Sequence, residues 1–123
     1  MKTLCMFPWT HMYIEPSGDV YACCIAGKPE LGKNRDLSLG NVQKNSLKEI
    51  WNSEGYRKIR QDMIKGNIPI GCEICFNQEN KFGPHFSLRN YANNLMKHHI
   101  SDVEKTKEDG SLEDFKLRYW DSR

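Results

Sequence analysis

The chain has 123 residues and a formal charge of +2, from 18 basic and 16 acidic side chains mixed along its length. That length predicts one domain, and so even a mixture of charge gives no electrostatic case for binding nucleic acid. Apolar content of 38% and a mean hydropathy of −0.72 predict a modest core. No apolar run is long enough to span a membrane, and the opening MKTLCMFPWT lacks the apolar stretch of a secretory signal.

Residues 9–25 read as a β-hairpin. Trp9, His11 and Tyr13 alternate with Thr10, Met12 and Ile14, and Glu15-Pro16-Ser17-Gly18-Asp19 supplies turn residues before Val20, Tyr21 and Ala22. Residues 26–45, rich in Gly, Lys, Asn and Asp, read as a loop. Ser46-Leu47-Lys48-Glu49 has the pattern of a capping box, in which hydroxyl and carboxylate satisfy the free amides of a helix start, and it predicts a short helix through Trp51. Asn52-Ser53 caps the next helix. Its apolar stripe is Tyr56, Ile59, Met63 and Ile64, with Arg57, Lys58, Gln61 and Asp62 toward water. Gly66 stops that helix, and Pro69 prevents its immediate resumption.

A third helix begins at Cys72 and Cys75. Gly83-Pro84 interrupts it, with a continuation to about Met96. Residues 97–113 alternate in charge, carry little apolar content and read as a mobile charged linker. Phe115, Leu117 and Tyr119 alternate with polar neighbours, which predicts a carboxy-terminal strand. The fold class is therefore α+β.

The chemistry lies in the cysteines. Five in 123 residues is too sparse for a disulfide scaffold. The count is odd and no export signal is present, so a cytoplasmic, reducing setting follows, where paired cysteines serve as metal ligands or redox centres. Cys72 and Cys75 form a C-x-x-C, which one tight turn can aim at a single centre. The hairpin brings Cys5 toward Cys23. These four residues predict a four-thiolate site, with Cys24 a spare, small buried side chain. Zinc takes Cys₄ sites, but usually between two C-x-x-C knuckles, and here there is one. Four cysteines also hold a 4Fe–4S cluster, and spacing alone leaves both open.

The other chemical residues have plainer roles. His11 reads as a packing residue, His85 as too far from the knuckle, and His98 and His99 as solvated. Trp9 and Trp51 read as core anchors, and Arg89 as lying on a solvated helix face.

Cys5-x12-Gly18-x4-Cys23 followed by Cys72-x2-Cys75 resembles the SPASM domain, or its shortened twitch form, the auxiliary iron–sulfur domain of radical S-adenosylmethionine enzymes. "IEPSGDVYACC", "SLGNV" at 38–42, "SLKEIW" at 46–51 and "YRKIR" at 56–60 carry the same resemblance, which spans roughly residues 4–90. It implies one 4Fe–4S cluster on Cys5, Cys23, Cys72 and Cys75, serving electron relay or structural support. Lys81 follows Cys75 where a full SPASM domain carries a further cysteine, and no later cysteine exists, so at most one cluster is expected. The C-x3-C-x-x-C that binds S-adenosylmethionine does not occur in the chain. The implied organisation is a SPASM/twitch-like domain over 1–96, the linker over 97–113, and over 114–123 the first strand of a radical SAM core. That core is the implied partner, in cis or in trans, with a peptide or small molecule as substrate; neither nucleic acid nor membrane is expected.

Overall fold

Pro8 turns the start of the chain into a helix rather than a strand. A proline in the first turn gives up an amide that has no partner there anyway, and α1 (Phe7–Thr10) forms at that point, with all four of its residues buried. The expected hairpin is correspondingly shorter: β1 (Tyr13–Ile14) pairs antiparallel with β2 (Asp19–Tyr21), Tyr13 opposite Tyr21 and Ile14 opposite Val20. At the turn Gly18 takes φ 95°, and a Cβ there would lie 2.8 Å from the Asn41 side-chain oxygen. Both constraints require glycine.

The computed structural model describes residues 2–25 and 37–113. The expected strand at 115–119 lies outside the described residues, as do residues 26–36 of the 26–45 loop. Within the rest of that loop, β3 (Gly40–Asn41) adds to β2 antiparallel, giving a three-stranded sheet in the order β1-β2-β3. Two residues, one of them glycine, show no alternation, so this strand has no signature of its own.

The helices follow their caps. Ser46 and Glu49 exchange side-chain-to-amide bonds of 3.1 and 2.9 Å at the start of α2 (Leu47–Trp51). Ser53 caps α3 (Glu54–Ile64), whose far end closes with Asn67 N–H on the Asp62 carbonyl and Gly66 N–H on that of Met63. Gly83, at φ 107°, ends α4 (Glu73–Phe82), and Ser87 caps a separate α5 (Leu88–Leu95). Gly83-Pro84 thus separates two helices.

Residues 97–113 are folded onto the body, contrary to the mobile linker expected. A 3₁₀ turn over Lys97–His99 leads into α6 (Ser101–Glu104), and Val103 and Leu112 are buried. Side chains of the body hold the backbone beyond: Gln61 Nε2 donates to the Glu108 carbonyl, and Asn52 exchanges two bonds with Leu112, at 2.8 and 2.9 Å. The charged side chains here cover a tied-down main chain.

Trp9 and Trp51 anchor the core, with Val20, Ile50, Tyr56, Met63 and Met96 around them. Burying two indoles contributes on the order of 4–6 kcal/mol each. Beside Trp51 and Tyr56 lies Arg60, fully buried, its guanidinium 4.7 Å from the Trp51 ring centroid and 5.1 Å from that of Tyr56. Ile64, expected in the stripe, is 41% exposed, while Asp62, expected toward water, is buried and pairs with Lys58 at 2.8 Å. Among the described residues no helix is long and apolar enough to cross a membrane.

Candidate metal centre

Three separate parts of the chain bring the expected cysteines together. Cys5 sits just before α1, Cys23 just after β2, and Cys72 is the N-cap of α4 with Cys75 one turn inside it. Cys5, Cys23, Cys72 and Cys75 line one cavity. Cys24 does not join them, and the expectation that it is buried fails. It is exposed, along an open groove lined by Phe82, Phe86 and Tyr91. In the turn that follows β2, Cys23 lines the cavity and Cys24 the groove.

Backbone amides converge on two of the sulfurs. Phe7 N–H, at the start of α1, donates to Cys5 Sγ. At the start of α5 the Ser87 hydroxyl takes the Asn90 amide at 3.0 Å, leaving the first two amides of the helix free. Those amides, of Leu88 and Arg89, donate to Cys75 Sγ. A helix amino end favours negative charge, so this sulfur is held where a thiolate is most stable.

Two polar residues of α5, one turn apart, fix the Cys5 segment. Asn93 Oδ1 accepts from the Met6 amide at 2.9 Å and Nδ2 donates to the Leu4 carbonyl at 2.9 Å, so its carboxamide pairs with the main chain on both sides of Cys5. Arg89 Nη1 donates to the Leu4 and Lys2 carbonyls at 2.8 and 3.1 Å. Its Nε and Nη2 make a forked pair with Glu79 on α4. Sequence reasoning placed Arg89 on a solvated face and passed over Asn93 and Glu79. A signal was present: positions 89, 92, 93 and 96 recur at three-to-four spacing, and Ala92 and Met96 are apolar, so the stripe faces inward.

Burial raises the pKa of three of the four thiols. Burial pushes Cys5 up to about 12, with repulsion from Cys23 and Cys75 adding to it against the Phe7 amide and Arg89. Cys72 is also raised, first by burial and then by Cys23, Cys5 and Cys75. Burial raises Cys75, offset in part by the Arg89 and Leu88 amides. The mutual repulsion records how near the sulfurs lie to one another. A bound cationic centre would remove it and release the protons.

The donor set fits an iron–sulfur cluster. It is four thiols, with no imidazole or carboxylate lining the cavity and otherwise apolar walls apart from Arg89. Sulfurs around one zinc ion lie about 3.8 Å apart. Among the described residues no three His, Cys, Asp or Glu side chains are grouped to hold a single ion. The cavity is about 20 Å³, room for a water, so seating a cluster must spread the free thiols. No histidine lines the cavity, and His99, expected to be solvated, is half-buried. His11 packs on Phe7 with ring centroids 4.5 Å apart, and His85 and His98 are exposed.

A small α+β domain with convergent thiols, backed by helix-end amides, defines a metallo-domain of the iron–sulfur type. The SPASM family, an iron–sulfur cluster-binding domain, matches residues 5–77, a segment containing all four cavity cysteines. The chain belongs to this family. Comparison with curated proteins and with solved structures finds no match.

Proposed function

We propose that the chain holds one 4Fe–4S cluster through Cys5, Cys23, Cys72 and Cys75, as the auxiliary site of a radical SAM enzyme in the cytoplasm. The observation that carries this reading is the shared cavity, reached from three parts of the chain and backed by amides aimed at two of its sulfurs. When bound, such a cluster supplies a one-electron redox couple. Four thiolates would leave no iron open to substrate, which favours electron relay or structural support. The radical chemistry on a peptide or small molecule then belongs to a catalytic core, joined in cis or in trans. The chain's own residues bind, shield and orient: the apolar walls exclude water, and the amides stabilise the thiolates.

Anaerobic reconstitution tests the proposal. The expected product is brown, with about four irons and four sulfides per chain. Changing any one of Cys5, Cys23, Cys72 or Cys75 to Ser should lose most of the iron, while Cys24→Ser should keep it. A colourless protein with one zinc per chain would refute the cluster. Loss of iron from Cys24→Ser with Cys23→Ser unaffected would reassign that ligand. Alone, the chain should form no 5′-deoxyadenosine from S-adenosylmethionine.

A further inference from the structure

Glu79 and Arg89 form an ion pair with a direction. Both side chains are largely buried, 12% and 15% exposed, but only Arg89 lines the four-thiol cavity. The guanidinium cannot swing away. It is forked onto Glu79, donates to the Leu4 and Lys2 carbonyls, and stacks on Phe76 at 4.4 Å. The carboxylate is fixed in turn by the Ser87 hydroxyl, which donates to it at 2.7 Å.

We propose that Arg89, locked by Glu79, sets the reduction potential of the cluster by presenting a fixed positive charge to it. The inference rests on the iron–sulfur reading above. Reduction adds one negative charge to a cluster, and a cation on the cavity wall stabilises that state more than the oxidised one. The Glu79 carboxylate, outside the lining, opposes the effect, most of all at Cys75, while at Cys5 the Arg89 charge acts without it. Low-dielectric walls and burial limit screening by salt. Charge and hydrogen bonding around the sulfurs are established determinants of cluster potential.

The test is a redox titration of the reconstituted 123-residue chain, with dithionite supplying the electron and the reduced cluster followed by electron paramagnetic resonance. Arg89→Gln should load iron and raise the oxidised-to-reduced ratio about tenfold at fixed potential, a fall of about 59 mV for one electron. Glu79→Gln should shift the midpoint the other way, and Arg89→Lys should stay near the parent value. Unchanged midpoints in loaded Arg89→Gln and Glu79→Gln would overturn the proposal and leave the cluster reading standing. Should Arg89→Gln fail to load, the sign for Glu79→Gln decides: a rise supports the proposal, and no change or a fall overturns it. A parent chain that takes up zinc and no iron sinks both readings at once.

Discussion

Arg60 carries a buried positive charge that no carboxylate neutralises among the described residues. Carbonyls do the work instead: Nε donates to Pro8 at 2.9 Å, Nη2 to Trp51 at 2.8 Å and Nη1 to Gly110 at 3.1 Å. Burial pushes its pKa down to about 10, with the Tyr56 hydroxyl acting in the opposite sense. Arg60→Ala should cost about 3 kcal/mol or more, since it opens a cavity and orphans three carbonyls; urea denaturation measures it. Arg60→Lys should fall between, because one ammonium cannot reach all three. Charged residues are assigned to solvent by default, which is why Arg60 stayed hidden in the stripe. Its position was legible, since 60 lies four residues after Tyr56 and three before Met63. The four cavity cysteines were readable for a different reason: their residue type has few roles in a reducing setting. Their amide partners were not, because a backbone group leaves no letter in the sequence.

Element by element, what could be read was what local chemistry decides. Ser46, Ser53 and Gly66 mark helix ends through bonds made within a few residues, and all three stand where expected. Decisions taken through tertiary contact were harder: α1, with no side-chain cap, and β3, which exists only by pairing with β2. The α4–α5 pair offers two tests of how elements position the cysteines. Asn93→Ala should cost about 1–2 kcal/mol from its two lost backbone bonds, and should speed alkylation of Cys5 in the metal-free chain. Glu79 gives the second. Burial pushes its carboxyl up, but the Arg89 and Ser87 hydrogen bonds outweigh this and hold it below the ordinary 4.5. Its contribution is therefore present above that pH and is lost as acid carries the solution through the lower folded value. Urea midpoints between about pH 6 and pH 3 should fall less steeply for Glu79→Gln.

The whole molecule depends on its last described stretch. The Trp9 indole donates to the Thr106 hydroxyl at 2.7 Å, and Gly110, at φ 85°, approaches α3 so closely that a Cβ would meet the Arg57 carbonyl oxygen at 2.2 Å. Ending the chain after Met96, where composition drew the boundary, should expose Trp9 and strip Arg60 of a partner. The expected result is red-shifted tryptophan emission and loss of a sharp thermal transition; an unchanged melting curve would contradict it. Composition misjudged this stretch because it weighs charge and apolar content, whereas the binding here is through main-chain groups, the Thr106 hydroxyl and two apolar residues. One consequence concerns portability. The family match ends at residue 77, yet α5, which steadies Cys5 through Asn93 and Cys75 through its leading amides, begins at Leu88. A transplant cut to the matched segment would therefore carry every sulfur and leave their scaffolding behind.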